Sequence, residues 1–174
     1  MALEIRRLLQ EDDRSGFRSG NVDLDRFFQR YAGQNQFRHH IGTTYVAIDA
    51  GTIVGFVTVT PSEIAVAEFP LSRRKKLPQY PLPVLRLARL AVDERAQGRG
   101  IGSTLLRAVF GLAHRMADEF GCLGVVVDAK PEAVPFYEKL GFIDLGARAG
   151  HLGDRPEPRP MFLELGAIPK PPAP

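Results

Sequence analysis

Hydrophobic and polar residues alternate along several segments in the first third of the chain. Alternation over residues 3–9 predicts a first strand, and two segments rich in β-branched residues, 44–48 and 52–60, predict a β-hairpin. Apolar residues between positions 22 and 31 recur with helical spacing, which predicts an amphipathic helix with Asn21 as its N-cap. This part of the chain is therefore expected to consist mainly of strands around one helix.

Strands alternate with helices in the second half of the chain. The predicted elements are a strand at 84–92, a glycine-rich turn at 98–102, a helix at 103–120 that stops at Gly121, a strand at 123–127, a helix between Pro131 and Gly141, and paired final strands at 143–147 and 161–165. This order predicts an α/β (α+β) domain built on one mixed sheet.

Length and composition indicate one domain. The chain has 174 residues, of which 44% are hydrophobic and 25% are charged, enough for one sizeable core. We expect a single domain over residues 1–166 and a disordered, proline-rich tail over residues 167–174. Residues 62–83 hold a basic run and four prolines, and are expected to form a long surface excursion with a short helix near 71–76.

Three features favour a cytoplasmic location. The N-terminal segment carries Glu4, Arg6 and Arg7 where a secretory signal needs an apolar core. The longest uncharged run, residues 50–62, is shorter than the roughly 20 apolar residues of a membrane-spanning helix. Cys122 is the sole cysteine, so no internal disulfide can form.

The positive charge of the chain is concentrated in one stretch. The net charge is only +3, yet residues 63–102 carry eight Lys and Arg against four acidic residues. This stretch ends with the glycine-rich turn, and its excess of positive charge indicates an anionic ligand or partner for this region.

The turn Gln97-Gly-Arg-Gly-Ile-Gly102 joins a predicted strand to a predicted helix. A helix start presents unpaired N–H groups and the positive end of a dipole to an anion, and glycines let a phosphate approach the backbone. Arg95 and Arg99 add charge beside them. The pattern predicts a pyrophosphate site, although the same spacing also fits a tight turn that only packs a helix against a strand. It lacks the Gly-Lys-Ser/Thr of a Walker loop, and the strands before it argue against a dinucleotide fold.

Two motifs resemble those of the GNAT acetyltransferase family. The turn resembles the family's pyrophosphate loop, Gln/Arg-x-x-Gly-x-Gly/Ala, and Phe136-Tyr-Glu-Lys-Leu-Gly-Phe142 resembles its later Tyr-containing helix end, in the same order and spacing. The resemblance covers residues 3–165. It implies a mixed, mostly antiparallel sheet flanked by helices, with acetyl-CoA bound where central strands splay apart.

The same resemblance implies which residues bind acetyl-CoA. The residues implied are Leu90, Ala91 and Val92 along the pantetheine arm, and Gln97, Gly98, Arg99, Gly100, Ile101, Gly102 and Ser103 at the pyrophosphate. Many members of the family carry Asn at a further cofactor contact, and Lys130 stands at the matching position here.

Acetyl transfer from a thioester to an amine needs a neutral amine, a polarised carbonyl and a proton for the departing thiolate. A tyrosine has a pKa near ~10 and a thiol near ~8.5, so a tyrosine retains its proton at neutral pH. The resemblance implies that Tyr137 is this general acid, with a main-chain N–H of residues 90–92 on the carbonyl oxygen. The sequence spacing of Tyr137 alone also fits a core aromatic beside Phe136 and Phe142.

The sequence implies no metal site. The four histidines, at 39, 40, 114 and 151, lack paired ligand spacing.

Four further segments resemble the acetyltransferase toxins of type II toxin–antitoxin systems. They are Ser19-Gly20 followed by Leu24-Asp-Arg-Phe-Phe-Gln-Arg-Tyr-Ala-Gly-Gln34, then Tyr80-Pro-Leu-Pro83, Arg89-Leu-Ala-Val-Asp93 and Val127-Asp-Ala129. The resemblance implies a toxin that acetylates the α-amino group of aminoacyl-tRNA and blocks translation. It also implies a homodimer and a ribbon-helix-helix antitoxin as partner.

An aminoacyl-tRNA substrate suits the chemistry of the chain. An α-amino group has a pKa near ~7.7–8.0, so no strong general base is needed. Candidate contacts to tRNA phosphates are Arg73, Arg74, Lys75, Lys76, Arg86 and Arg89. The run at 73–76 also fits a solvated loop. Two alternatives stay open: an N-acetyltransferase of a small-molecule amine or protein N-terminus, and a non-catalytic domain that binds acyl-CoA.

Overall fold

The computed structural model describes residues 3–146 and 158–169. The strands are β1 (Leu3–Arg7), β2 (Thr43–Asp49), β3 (Thr52–Ile64), β4 (Leu82–Val92), β5 (Gly124–Ala129), β6 (Ile143–Asp144) and β7 (Arg159–Glu164). The α-helices are α1 (Val22–Arg26), α2 (Leu71–Arg74), α3 (Ile101–Glu119) and α4 (Val134–Lys139). Short 3₁₀ turns lie at Val66–Glu68, Glu94–Ala96, Pro131–Ala133 and Leu165–Ala167.

The seven strands follow the order β1-β2-β3-β4-β5-β7-β6. Antiparallel pairing joins β1 to β2, β2 to β3, β5 to β7 and β6 to β7. The α/β architecture with a mixed, mostly antiparallel sheet is thus confirmed. The described residues divide into two compact units: unit 1 comprises those within 1–60 and 87–109, and unit 2 comprises those within 61–86 and 110–174.

Unit 1 is built on the predicted hairpin and an aromatic cluster. Tyr45 of β2 lies opposite both Arg7 of β1 and Val57 of β3 in the antiparallel registers. Phe28 stacks on Phe56 with their ring centroids 4.4 Å apart, and further buried apolar residues of this unit complete the cluster. The β-branched residues of the hairpin thus supply a pleated surface on which the aromatic side chains of the preceding helix pack.

The helix that begins with α1 starts where the sequence predicts. The Asn21 side chain accepts a hydrogen bond from the Leu24 N–H at 3.0 Å, which confirms it as the N-cap. The helix is longer than predicted, because it continues through two π-helical stretches, Phe27–Tyr31 and Gln34–His39. The Arg14 guanidinium donates to the Phe28 carbonyl at 2.8 Å, inside the first of these stretches. This contact gives one widened turn a side-chain donor.

Unit 2 contains a second apolar cluster. The prediction that residues 62–83 form a surface excursion is partly wrong, because several of them lie in this cluster. Strand β3 runs on to Ile64, and Ile64, Val66 and Phe69 are buried. The Phe69 ring meets Phe162 of β7 edge-on at 5.0 Å. The apolar residues among the polar and proline residues of this segment therefore form part of a core. The short helix expected near residues 71–76 is confirmed as α2.

Ordered contacts in unit 2 continue past residue 166. The carbonyl of the buried Ile168 lies 2.9 Å from Nε2 of His114. The tail predicted from residue 167 therefore begins with an anchored residue, and the domain boundary at 166 stays a prediction. Most of the expected loop at 148–160, with His151, lies outside the described residues, as does the tail beyond Pro169.

The only cysteine of the chain lies in unit 2, next to β5. Cys122 is buried, and its Sγ donates to the Gly124 carbonyl at 3.3 Å. Burial raises the pKa of the Cys122 thiol. Within the part of the chain described, no helix has the length and apolar character needed to cross a membrane.

Gly55 of β3 occupies a position where the start of α3 approaches the sheet closely. A Cβ there would lie 3.0 Å from Ile101 Cγ2, 3.1 Å from Leu105 Cδ1 and 3.3 Å from the Ala91 carbonyl oxygen. The absence of a side chain at Gly55 is therefore a packing requirement for seating α3.

We expect Gly55→Ala to lower the free energy of unfolding by about 1–3 kcal/mol, because the added methyl overpacks this contact. Gly111→Ala is the matched control, since a Cβ at Gly111 meets nothing within 4 Å. That change in a helix interior should raise the free energy of unfolding by up to about 1 kcal/mol. Urea unfolding measures both values, and equal effects of the two substitutions would contradict the close packing at Gly55.

Candidate active site

A buried carboxylate anchors the end of β4. Asp93 is 1% exposed and accepts hydrogen bonds from the Arg18 N–H at 3.2 Å and the Arg95 N–H at 3.0 Å. The Arg95 guanidinium donates to the same carboxylate at 2.9 and 3.1 Å. The hydrogen bonds from the Arg95 side chain are the largest cause that lowers the pKa of Asp93. Asp93 therefore remains charged at neutral pH and ties the chain entering the glycine-rich turn to the segment before α1.

Two side chains of the glycine-rich turn are used to hold the turn in place. The Gln97 amide donates to the Ser19 carbonyl at 3.0 Å and to the Val92 carbonyl at 3.1 Å. The Arg99 guanidinium forms an ion pair with Asp49 at 2.9 Å. Two predicted cofactor residues thus hold the turn in place with their side chains.

The turn presents an open backbone cradle. Gly98 and Gly100 adopt left-handed conformations, with φ of +81° and +77°, and a Cβ at either position would meet nothing within 4 Å. Helix α3 begins at Ile101, and its first N–H groups have no partner within the helix. The side chain of Ile101 is buried, so only its backbone faces this cradle. Open space in front of two glycines and a helix start fits a pyrophosphate.

The remaining predicted cofactor residues of unit 1 flank this cradle. Leu90 and Val92 are half-buried at the end of β4, and Ala91 between them is buried. Gly102 and Ser103 lie in the first turn of α3 and are half-buried. The structure therefore brings the predicted strand end, turn and helix start together at one edge of unit 1.

Tyr137 lies on α4 in unit 2 and is 5% exposed. Its ring packs edge-on against Phe136 at 5.1 Å and Phe142 at 5.3 Å. Burial raises the pKa of Tyr137 to about 12. Its hydroxyl forms no hydrogen bond within the described residues. Tyr137 is thus a packed aromatic that also presents a protonated phenol.

Lys130 lies in the same unit, ahead of α4. Its side chain is exposed, and its carbonyl accepts the Ala133 N–H at 2.8 Å at the 3₁₀ turn Pro131–Ala133. Among the described residues, no group of three or more His, Cys, Asp or Glu side chains is arranged to hold a metal ion.

Three of the six basic residues predicted to contact tRNA are engaged within unit 2. Arg73 pairs with Glu164 at 3.2 Å, and Arg86 pairs with Asp128 at 3.0 Å. Arg74 donates to the Phe69 carbonyl at 2.6 Å and to the Ala67 carbonyl at 2.8 Å. These three side chains already stabilise the chain around α2 and β4.

The other three basic candidates keep their charge available. Lys75 and Lys76 are exposed, and their side chains form no hydrogen bond or ion pair within the described residues. Arg89 in unit 1 lies with its guanidinium carbon 3.8 Å from the centroid of the Phe27 ring. The sequence reasoning did not assign Phe27 or Asp93 a role at the site. For Asp93 a signal was present, because an Asp directly after a strand and before a turn is a typical cap.

Comparison with known proteins identifies the family. Residues 40–144 match the family described as Acetyltransferase (GNAT) domain. The chain belongs to the GNAT acetyltransferase family. This acetyltransferase is 36% identical over 138 residues to a tRNA-acetylating toxin of Mycobacterium tuberculosis, covering 79% of this chain and 82% of the toxin.

Solved structures resemble this acetyltransferase over nearly its whole length. AtaT complexed with acetyl-methionyl-tRNAfMet matches with a TM-score of 0.82 and 26% identity, covering 96% of this chain and 97% of that one. AtaTR bound with AcCoA matches with a TM-score of 0.76 and 27% identity, covering 95% of each chain. The predicted fold, enzyme class and acetyl-CoA cofactor are thereby confirmed, and the roles of individual site residues stay predictions.

We expect Asp93→Asn to lower the free energy of unfolding by about 1–3 kcal/mol at pH 7, because an amide cannot satisfy all the donors that the carboxylate accepts. The same change should weaken acetyl-CoA binding, measured by calorimetry. Asp12→Asn is the matched control, since Asp12 likewise accepts hydrogen bonds from an arginine, Arg6, and a backbone N–H. That variant should lose stability but keep its affinity for acetyl-CoA.

The stability difference at Asp93 should depend on pH. A carboxylate with a lowered pKa stabilises the folded state above its unfolded value of about 3.9, and this contribution is lost as pH falls through the folded value. Unfolding measured from pH 7 to pH 3 should therefore show the Asp93→Asn difference narrowing below about pH 4. A difference that stays constant over this range would contradict the assigned charge.

Proposed function

We propose that this acetyltransferase is a toxin that acetylates the α-amino group of aminoacyl-tRNA and so blocks translation. The observation that carries the proposal is the 36% identity to a tRNA-acetylating toxin over about four-fifths of the chain. The likeness to AtaT in its complex with acetyl-methionyl-tRNAfMet supports it. Four exposed or partly exposed basic side chains, at Arg73, Lys75, Lys76 and Arg89, are in keeping with a polyanionic substrate.

Acetyl-CoA supplies an acetyl group activated as a thioester. The backbone cradle at Gly98 and Gly100, with the first turn of α3, binds the pyrophosphate. Residues 90–92 run beside the pantetheine arm, and one of their N–H groups polarises the carbonyl oxygen. In the reaction the amine nitrogen forms a bond to the carbonyl carbon, the carbon–sulfur bond breaks, and one proton leaves the nitrogen.

Tyr137 acts as the general acid for the departing sulfur. With a pKa of about 12 it is a phenol throughout the physiological range. Its pKa exceeds the ~8.5 of a thiol, so outright transfer to a free thiolate would be unfavourable. Tyr137 therefore passes its proton to the departing sulfur only as it takes up the proton that the amine gives up, so the thiol leaves and the phenol is restored. No strong base is needed, because an α-amino group with a pKa near ~7.7–8.0 is partly neutral at pH 7.

The toxin assignment extends to partners and location. We infer a homodimer and a ribbon-helix-helix antitoxin from the resemblance of the four sequence segments to the toxin subfamily, and a cytoplasmic site of action because the proposed substrate takes part in translation. Lys130 is inferred to contact the cofactor in place of the family's Asn. Arg73, Arg74 and Arg86 would contact tRNA only by exchanging their present partners within the chain.

The purified protein, incubated with labelled acetyl-CoA, should label charged tRNA and leave uncharged tRNA and polyamines unlabelled.

The double substitution Lys75→Glu with Lys76→Glu should raise the KM for charged tRNA about tenfold, because two phosphate contacts are lost. It should also flatten the salt dependence of this KM. Arg115→Glu, at an exposed position of α3, is the matched charge reversal and should leave KM unchanged. Labelling of polyamines instead of charged tRNA would favour the small-molecule alternative.

Tyr137→Phe should lower kcat by about tenfold or more, because the proton donor to sulfur is lost, while acetyl-CoA affinity stays unchanged. Tyr45→Phe removes a hydroxyl elsewhere and serves as control.

In the unmodified enzyme the rate should rise with pH through about 8, because the amine becomes neutral. Ionisation of Tyr137 should cause no fall in the rate below about pH 10. Steady-state kinetics from pH 6 to 10 measures both, and near-normal turnover of Tyr137→Phe would remove the residue from the mechanism.

A further inference from the structure

Arg89 differs from four other arginines of the basic stretch 63–102 in the group that its side chain contacts. Arg73, Arg86, Arg95 and Arg99 each form an ion pair with a carboxylate. The Arg89 guanidinium forms no hydrogen bond or ion pair within the described part of the chain. Its central carbon lies instead over an aromatic ring, 3.8 Å from the centroid of Phe27.

Phe27 is a rigid support for this contact. It is 6% exposed and belongs to the aromatic cluster of unit 1. Its ring lies 6.3 Å from that of Phe56, and Phe56 is in turn stacked on Phe28 at 4.4 Å. Because the cluster is closely packed, the ring face that Phe27 turns toward Arg89 has little freedom to move.

A ring face holds a guanidinium without using any of its hydrogen-bond donors. The attraction is between the cation and the π-electrons, so all five N–H groups of Arg89 remain available. Partial burial lowers the pKa of Arg89 from its ordinary value, while the residue as a whole stays exposed. A positioned cation that lacks a carboxylate partner is suited to bind an external anion, and the planar fork of arginine matches a phosphate with two hydrogen bonds.

We propose that Phe27 is a positioning residue that holds Arg89 ready to bind a backbone phosphate at the acceptor end of the aminoacyl-tRNA. The assignment rests on the proposed function and adds a residue that acts only through Arg89. Acetyl-CoA also carries phosphate groups. The effects on tRNA binding and on acetyl-CoA binding are therefore measured separately, to show which phosphate Arg89 binds.

The test compares Phe27→Leu with the unmodified protein. Loss of the ring face should raise the KM for charged tRNA about 3- to 10-fold, the range expected for one cation–π contact. The kcat at saturating tRNA and the Kd for acetyl-CoA should stay within about twofold. Phe27→Tyr, which keeps a ring face, should restore the KM.

Phe28→Leu is the matched control for packing. It removes a ring from the same cluster and should lower the melting temperature, yet it does not touch Arg89 and should leave the KM for tRNA unchanged. An equal rise in KM for Phe28→Leu and Phe27→Leu would mean that cluster packing, and not the ring face, sets tRNA binding, and would overturn the assignment.

A double-mutant cycle shows whether Phe27 acts through Arg89. In an Arg89→Ala background, Phe27→Leu should cause no further rise in KM for tRNA. A further rise as large as in the unmodified background would overturn the assignment. A weaker Kd for acetyl-CoA with unchanged tRNA KM would also overturn it, because the phosphate would then belong to the cofactor.

The failure of this assignment can be told from the failure of the proposed function. If the unmodified protein acetylates charged tRNA and Phe27→Leu does so with the same KM, the proposed function stands and the role of Phe27 is rejected. If the unmodified protein does not acetylate charged tRNA at all, the proposed function is rejected and the assignment to a tRNA phosphate is rejected with it.

Discussion

The glycine-rich turn depends on the buried carboxylate of Asp93. A turn with two left-handed glycines has few intrinsic constraints, because glycine gains little from any one conformation. Asp93 supplies the constraint by collecting two backbone N–H groups and a guanidinium at the end of β4. The Gln97 amide and the Arg99–Asp49 ion pair then hold the rest of the turn. The backbone of the turn thus faces open space on the ligand side, while hydrogen bonds and an ion pair fix its conformation from the protein side. A preorganised anion site requires both.

The elements of the fold were largely predictable because their signals are local. The Asn21 cap, the apolar segment that became β4 and the helical spacing after the turn each depend on neighbouring residues. The burial of Val66 and Phe69 was not predictable in this way, since it depends on Phe162 of β7, far along the chain. The prolines and basic residues around them gave the segment the composition of a surface loop.

The sequence predicted where the candidate site lies, but it did not predict what the individual side chains at the site contact. The motif at residues 97–102 identified the cradle, but Gln97 and Arg99 proved to brace it with their side chains. Charge alone selected Arg73, Arg74 and Arg86 as tRNA contacts, whereas each has a partner distant in sequence or a nearby carbonyl. Which cations are neutralised is decided by the fold, and a count of charges cannot show it. Arg89 illustrates the converse, because a phenylalanine 62 positions earlier holds it without neutralising it.

The burial of Cys122 makes the protein convenient for site-directed labelling. A thiol reacts with maleimides as the thiolate, and Cys122 is both shielded and shifted toward the protonated form. A cysteine introduced at an exposed position would therefore be the one readily alkylated thiol, with the native residue left in place. A fluorophore or spin label at that position could then report on its local environment while the core beside β5 stays intact.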